Sequence, residues 1–211
     1  MTCAESARVA MLNVSRETSE ALGVLETLVR RWNPAVNLVS KASLQHLYKR
    51  HVLDSVQLYG HLPESAGVWV DLGSGGGFPG LVIAILAREK SRDLLVTMVE
   101  SDGRKATFLR QAALALDLQV TVINDRIEKI SPLGADVLSA RALAPLPVLL
   151  DYAERHLHQD GIAIFPKGGK HMGELTAARQ VWNFKVEAHP SLSEQGSAIL
   201  VIRDIERARQ D

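Results

Sequence analysis

Residues 68 to 81 read V-W-V-D-L-G-S-G-G-G-F-P-G-L, and this segment indicates the fold class. An apolar run ends at Asp71, five glycines lie between positions 73 and 80, and the apolar segment 81–87 follows. This order predicts a strand, a tight loop and the start of a helix, with Pro79 in the first helical turn. Glycine tolerates positive φ and a close ligand, so the loop should present free backbone N–H groups at a helix N-terminus.

Asp71 distinguishes between two common ligands of such a loop. Residues 75 to 80 match the dinucleotide pattern G-x-G-x-x-G, but that match is weak by itself. A carboxylate at the strand tip, two residues before Gly73, would repel a pyrophosphate and suit a cationic ligand. S-adenosylmethionine carries an ammonium and a sulfonium group and no phosphate. Asp71 and the loop residues Gly73, Ser74 and Gly75 are therefore predicted to bind this cofactor rather than NAD.

A second acidic residue follows at the position that binds ribose in folds of this kind. Glu100 ends the apolar run 94–99 and lies 23 residues beyond Gly77. An acidic residue about 20 residues after the glycine loop, at the end of the second strand, binds ribose hydroxyls. A solvated strand end is the alternative, but both position and spacing favour a ribose contact.

Further motifs extend from Trp32 to Arg203, over nearly the whole chain. They are N-L-V-S at 37–40, R-H-V-L-D-S at 50–55, V-E-S at 99–101, R-K-A-T-F-L-R at 104–110, S-A-R-A-L-A at 139–144 and F-P-K-G at 165–168. With the glycine loop, they resemble the ribosomal RNA small-subunit methyltransferase G family, also called glucose-inhibited division protein B. One departure is Arg104-Lys105, where the family usually has two lysines; the charge is kept.

The resemblance implies methyl transfer from S-adenosylmethionine to N7 of one guanine in small-subunit (16S) ribosomal RNA, free or within an assembled or assembling subunit. It also implies cofactor contacts by Gly73, Phe78, Ile127, Glu128 and Arg141. From the residues alone, Asp125 competes with Glu128 for the adenine contact. Two other functions stay open: a nucleotide-binding oxidoreductase with the same loop, and a small-molecule methyltransferase.

The chain from residue 64 alternates short apolar strands with helices. Strands are expected at 68–72, 94–99, 119–124, 136–140, 161–165, 184–189 and 198–203, and helices at 79–88, 103–116 and 147–157. The alternation predicts a parallel sheet covered by helices on both faces. The connection 190–197 is too short for a parallel crossover, so the last strand should be antiparallel. The expectation is an α/β fold, a class I S-adenosylmethionine-dependent methyltransferase with a Rossmann-like doubly wound sheet over residues 64–211 and an N-terminal helical extension over residues 1–63.

The extension is predicted to contain two long helices. Residues 1–16 show no sustained period and are expected to be a loose or helical start. An amphipathic helix runs from Ala21 to Trp32 and ends at Pro34, because apolar residues recur there at three- and four-residue spacing. A second helix, capped by Ser43, continues to just before Pro63.

Basic residues of the second helix precede Asp54 without an intervening acid. Such a run can bind phosphates or form a solvated helix face, and the resemblance at R-H-V-L-D-S favours a functional surface. His51 and Asp54 lie three residues apart on one predicted helix face, where a hydrogen bond could orient them. Together with the basic loop at 167–171, this predicts RNA contacts by Arg50, His51, Lys167 and Lys170.

The overall composition excludes several classes of protein. Lys and Arg number 24, as do Asp and Glu, so any RNA contact must come from local basic patches. The single cysteine, Cys3, allows no disulfide framework or cysteine metal site, and no metal is expected. No apolar run approaches the ~18 residues of a membrane span, and no signal peptide is recognisable. A cytoplasmic monomer is expected.

The predicted chemistry requires no catalytic side chain. Methyltransferases acting on exocyclic amines tend to carry Asn or Asp, Pro-Pro and an aromatic residue after the fourth strand, whereas this chain reads S-A-R-A at 139–142. Pyrimidine C5 methylation in RNA or DNA needs a nucleophilic cysteine, and Cys3 lies far from the glycine loop in sequence. Guanine N7 carries a free lone pair, so positioning is expected to suffice, with a nearly flat rate between about pH 6 and 9.

Overall fold

The computed structural model describes residues 14–91 and 93–208. Its centre is one sheet formed by β1 Val68–Leu72, β2 Leu95–Val99, β3 Val120–Ile123, β4 Ala135–Ala140, β5 Leu157–Lys167, β6 Trp182–Pro190 and β7 Ala198–Arg207. The seven strands lie in the order β3-β2-β1-β4-β5-β7-β6. Strands β1 to β5 are parallel, and β7 runs antiparallel to both of its neighbours. The predicted Rossmann-like sheet with a reversed last strand is confirmed.

Helices cover the sheet and form the N-terminal extension. They are α1 Arg16–Val36, α2 Lys41–Leu44, α3 Asp54–Tyr59, α4 Gly80–Lys90, α5 Gly103–Ala115, α6 Leu146–His156 and α7 His171–Ala178. A π-helical segment, Tyr48–Leu53, precedes α3. Within the two described ranges, none of these helices combines the length and apolarity that crossing a bilayer demands.

Strand β1 occupies the centre of the sheet, between β2 and β4. The chain builds outward from β1 through β2 to β3 and then returns to the other side of β1 as β4. In open parallel sheets a ligand binds at this reversal, outside the carboxyl ends of the strands. The glycine loop after β1 and Arg141 after β4 are therefore brought to the same edge.

The N-terminal helices share a hydrophobic core with one face of the sheet. Leu25 is fully buried in the cluster that also contains Phe108. The rings of Trp32 and Phe108 meet edge to face with centroids 5.7 Å apart. The division into residues 1–63 and 64–211 stays a prediction, and both parts contribute apolar side chains to this core.

The first helix is longer than predicted. It contains Pro34 instead of ending there, so that prediction was wrong. Pro34 lies in the last turn, where its missing N–H removes one hydrogen bond at most. The helix ends instead at Val36 and is capped by Asn37, which adopts φ 54° and donates its N–H to the Asn33 carbonyl at 2.9 Å. The expectation for residues 1–16 falls largely on residues 1–13, which lie outside the described ranges.

The single second helix was also predicted wrongly. The chain forms α2, a π-helical segment and α3, and Ser40 caps α2 by accepting the Ser43 N–H at 3.1 Å. Ser43 is therefore not the cap. Helix α7 was not predicted, because its sequence H-M-G-E-L-T-A-A lacks a clear apolar stripe and contains Gly173.

Candidate cofactor and substrate site

The glycine loop has the positive φ angles that its sequence predicts, but the prediction of free N–H groups was wrong for most of it. The N–H groups of Gly73, Ser74, Gly75, Gly77 and Gly80 all donate to protein acceptors. Gly73, Gly75 and Gly77 adopt φ values of 65°, 55° and 82°. Glycine reaches this region without a Cβ clash, whereas other residues rarely do. The Gly73 and Ser74 N–H groups donate to the Val99 carbonyl at 2.8 and 3.1 Å, which ties the loop to the end of β2.

Glu100 closes the other side of this loop. Its Oε2 accepts the Gly75 N–H at 2.8 Å, and its Oε1 accepts the Asp102 N–H at 2.8 Å. Each carboxylate oxygen has a further lone pair, so ribose hydroxyls can still donate to it. The Asn124 side chain holds the Glu100 carbonyl at 2.8 Å. Glu100, the residue predicted to bind ribose, is thus preorganised beside the loop and fits an adenosyl cofactor.

Asp71 supports the loop from beneath. Its carboxyl group has no exposed surface; Oδ2 accepts the Gly80 N–H at 3.1 Å and Oδ1 accepts the Ser139 hydroxyl at 2.8 Å. Burial raises the pKa of Asp71 to about 6. Ser74 is 2% exposed and its hydroxyl donates to the Asp71 carbonyl. Both residues were predicted as cofactor ligands, and their side chains lie below the loop surface.

The loop after β3 is held by three residues of α6. The Tyr152 hydroxyl donates to Glu128 Oε1 at 2.6 Å, and the Arg155 guanidinium donates to the Ile130 carbonyl at 2.7 Å. His156 Nε2 lies 3.2 Å from the Ile127 carbonyl. Ile127 and Glu128, which are predicted to contact adenine, are thereby positioned by α6.

Arg141 joins the tip of β4 to the N-terminal helices. Its guanidinium donates to the Arg50 carbonyl at 3.0 Å, contacts His51 Nδ1, and lies 3.6 Å from Asp54 Oδ2. It also lies 5.8 Å from the centre of the Phe78 ring, within the range of a cation–π contact. The expected bond between His51 and Asp54 is replaced by contacts of both residues with Arg141.

His51 is held as a neutral imidazole. Burial, followed by the positive charges of Arg141 and Arg50, lowers its pKa to about 3. Because Arg141 is always a donor, His51 Nδ1 accepts and we assign the proton to Nε2. His51 is 8% exposed and its ring packs against Phe78 with centroids 5.0 Å apart.

An open cleft of about 490 Å³ lies beside Arg141, between the N-terminal helices, the ends of β4 and β5 and the connection of β6 to β7. At its floor, Lys167 donates to Glu174 Oε2 at 2.7 Å and to the Ala144 carbonyl at 3.0 Å. The Lys167 side chain is 9% exposed. This ammonium, predicted to contact RNA, is therefore committed to protein partners, whereas Arg50 and Lys170 are exposed.

The connection of β6 to β7 forms the opposite wall, and its contacts were not anticipated. The Ser193 hydroxyl donates to Asp54 Oδ1 at 2.8 Å, and the Leu192 N–H donates to Gln57 Oε1 at 2.7 Å. Glu194 follows, with Oε1 3.9 Å from the Arg50 guanidinium. In the sequence this connection is only a short polar stretch, so no local signal marks it as part of a site.

The chain is similar to known methyltransferases in sequence and in fold. A sequence model described as rRNA small subunit methyltransferase G matches residues 19–200. A protein named ribosomal RNA small subunit methyltransferase G from Ruegeria sp. is 50% identical over 93% of this chain and 95% of that protein. A protein of the same name from Rhodospirillum centenum is 47% identical over 93% of this chain and 88% of that protein.

Solved structures show the same fold at low identity. A putative S-adenosyl-L-methionine-dependent methyltransferase from Methanococcus maripaludis has a TM-score of 0.57 at 9% identity, covering 81% of this chain and 93% of its own. A SAM-dependent methyltransferase from Aquifex aeolicus has a TM-score of 0.57 at 12% identity, and the match covers 78% of this chain and 97% of that chain.

Proposed function

The chain belongs to the rRNA small subunit methyltransferase G family, and from that premise we propose that it methylates N7 of a guanine in small-subunit ribosomal RNA with S-adenosylmethionine as donor. The observation that carries this proposal is the family match over residues 19–200. That span includes the glycine loop, Glu100 and the cleft beside Arg141. A nucleotide-binding oxidoreductase and a small-molecule methyltransferase are not favoured by this membership.

The residues around the glycine loop fit an adenosyl cofactor. Glu100 would accept from the ribose hydroxyls, and the backbone of Gly73 and Gly75 would approach the amino-acid part of the cofactor closely. Ile127 and Glu128 would contact the adenine. When bound, S-adenosylmethionine supplies an electrophilic methyl group on a sulfonium sulfur. Asp71 and Ser74 would act from below, by holding the loop that these contacts require.

The cleft favours positioning over proton transfer. His51 is neutral and its Nδ1 lone pair already accepts from Arg141, so it is a poor base. Asp54 and Glu174 each accept two or more hydrogen bonds or ion-pair contacts from protein groups. Guanine N7 needs no deprotonation, because its lone pair lies free in the ring plane. The enzyme would need only to hold N7 about 3 Å from the methyl group.

RNA contacts are proposed for the exposed cations at the rim of the cleft. Arg50 lines the cleft, and Lys170 lies two residues after Gly168, which also lines it. Both side chains are exposed and can reach phosphates. His51 and Lys167 would instead shape the cleft. A monomer acting in the cytoplasm, on free RNA or on an assembling or assembled small subunit, completes the proposal.

The test is single-turnover methylation of small-subunit RNA, free and in particles, with labelled S-adenosylmethionine. Borohydride and aniline treatment should cleave the RNA at the labelled guanine, because only the N7-methylated base is opened by it. Arg50→Ala with Lys170→Ala should raise the Michaelis constant for RNA and leave cofactor affinity unchanged in calorimetry. A labelled base that resists cleavage would contradict N7 as the acceptor.

A further inference from the structure

The cleft beside Arg141 is lined by three carboxylates of the described chain, Asp54, Glu174 and Glu194. Asp54 accepts from Ser193 through Oδ1 and pairs with Arg141 through Oδ2. Glu174 accepts the Leu146 N–H at 2.8 Å and the Lys167 ammonium at 2.7 Å. Both are engaged in holding the walls of the cleft together.

Glu194 differs from these two carboxylates in its environment. Its described ion-pair partner is Arg50 at 3.9 Å, and the two side chains are 64% and 50% exposed. An exposed pair at this distance contributes little and exchanges easily with another partner. Asp54 and Glu174, by contrast, have side chains that are 14% and 29% exposed. Glu194 is therefore the carboxylate at the rim with capacity for a ligand.

The backbone that carries Glu194 is fixed although its side chain is exposed. Ser193, the preceding residue, is anchored to Asp54, and the Leu192 N–H is anchored to Gln57. The Glu194 carbonyl accepts the Ser197 N–H at 3.2 Å. These contacts fix the backbone of Glu194 beside the cleft that it lines, which reduces the backbone entropy lost on binding.

We propose that Glu194 accepts hydrogen bonds from N1–H and the N2 amine of the target guanine and so selects guanine over adenine. This inference rests on the proposed function. Both purines have an N7 lone pair, so N7 chemistry alone does not discriminate them. They differ at the Watson–Crick edge, where guanine offers two adjacent donors and adenine offers an unprotonated N1 that a carboxylate repels. Charge-assisted bonds to two parallel donors are the strongest form of such recognition.

The placement of Glu194 relative to Arg141 agrees with this orientation, because both Arg141 and Ser193, the neighbour of Glu194, contact Asp54. N7 lies on the five-membered ring, and the Watson–Crick edge lies on the opposite side of the purine. A guanine that enters with N7 toward the tip of β4 therefore directs N1 and N2 outward, to the rim where Glu194 lies. Arg50 beside Glu194 then lies free to contact a phosphate.

The test compares two RNAs that differ by one functional group at the guanine that the parent protein methylates. In the second RNA this guanine is inosine, which lacks the N2 amine but keeps N1–H, O6 and N7. The parent protein should prefer guanine about 10-fold in kcat/KM, and Glu194→Ala should be about 10- to 100-fold slower on guanine RNA with a guanine-to-inosine ratio near unity. Cofactor affinity of Glu194→Ala, measured by calorimetry, should equal that of the parent.

One control variant and two contrary outcomes separate the possible failures. Glu206→Gln changes an exposed carboxylate on β7 that lines a different hollow, and it should keep the parent preference for guanine. A Glu194→Ala protein that retains the parent ratio, whatever its rate, overturns the assignment of Glu194. A parent protein that forms no N7-methylguanine overturns the proposed function instead. Glu194→Ala also removes the ion pair with Arg50. Loss of that pair affects both RNAs equally and so leaves the guanine-to-inosine ratio unchanged.

Discussion

Asp54 Oδ2 lies 3.6 Å from Nη1 of Arg141, and through this pair one carboxylate of the N-terminal helices holds the tip of β4. The same carboxylate accepts the Ser193 hydroxyl through its other oxygen. Asp54 therefore connects the residue that follows the fourth strand with the connection between the last two strands. Asp54 thus contributes to the shape of the cleft by contacting both of these walls.

Asp54→Ala should lower the free energy of unfolding by about 1–3 kcal/mol, because it leaves a mostly buried guanidinium without its counter-charge. It should also weaken S-adenosylmethionine binding by releasing Arg141. Urea denaturation and calorimetry measure the two effects. Asp204→Asn removes an exposed pair with Lys185, whose side chains are 58% and 81% exposed, and should change stability by less than about 0.5 kcal/mol. Equal effects of the two substitutions would argue against a special role for Asp54.

Gly73→Ala should reduce both stability and cofactor affinity. A Cβ there would lie 2.7 Å from Leu143 Cδ1, and φ is 65°, a region that costs other residues about 1–2 kcal/mol. Thermal unfolding with and without S-adenosylmethionine reports both losses. Gly173→Ala in α7 has no atom within 4 Å of the added Cβ and should be neutral or stabilising by up to about 1 kcal/mol. A neutral Gly73→Ala protein would contradict the loop geometry.

Tyr152→Phe should weaken S-adenosylmethionine binding by about 3- to 10-fold, since it removes one hydrogen bond that positions Glu128. The bond to Glu128 raises the pKa of Tyr152 to about 12, so the hydroxyl stays a donor at every working pH. The Michaelis constant for RNA should not change. Tyr59→Phe removes a comparable bond, from its hydroxyl to Ser91 at 2.8 Å, and serves as the matched control. Unchanged cofactor affinity in Tyr152→Phe would separate α6 from cofactor binding.

His51 should make the protein more sensitive to acid. Its pKa falls from 6.5 to about 3 on folding. Between these two pH values His51 is therefore protonated in the unfolded chain and neutral in the native protein. The contribution of His51 to stability is complete above about pH 6.5 and declines as the pH falls toward 3, by about 1–2 kcal/mol at pH 5. His51→Gln should lose less stability than the parent protein between pH 7 and pH 5. Urea midpoints at both pH values decide this, and parallel losses would contradict a neutral His51.

The rate of methyl transfer should be flat between about pH 7 and 9. His51 stays neutral there, and Asp71, with its pKa raised to about 6, is ionised. Below pH 7 Asp71 begins to take up a proton, which narrows the range of pH 6 to 9 that the sequence predicts. Single-turnover rates at saturating RNA test the profile. A sharp bell-shaped profile inside this range would require a proton-transferring residue.

The strands and the order of the chain could be predicted because their signals are local. Short apolar runs mark β1 to β7, and the brief connection 190–197 requires β7 to be antiparallel. The glycine spacing and Glu100 predict the cofactor loop, since a positive φ and a carboxylate at a strand end are properties of single residues and their neighbours.

Which residues line the cleft, and which of their charges are paired, follows from tertiary packing. Asp71 and Lys167 carry charges that the sequence assigned to ligands, and packing placed both among protein donors and acceptors. The contacts of Asp54 with Arg141 and Ser193 join residues far apart in the chain, so no spacing rule contains them. Residue type and local period determine which elements form, whereas burial and pairing of a charge depend on which elements the folded sheet and its helices bring within a few ångströms.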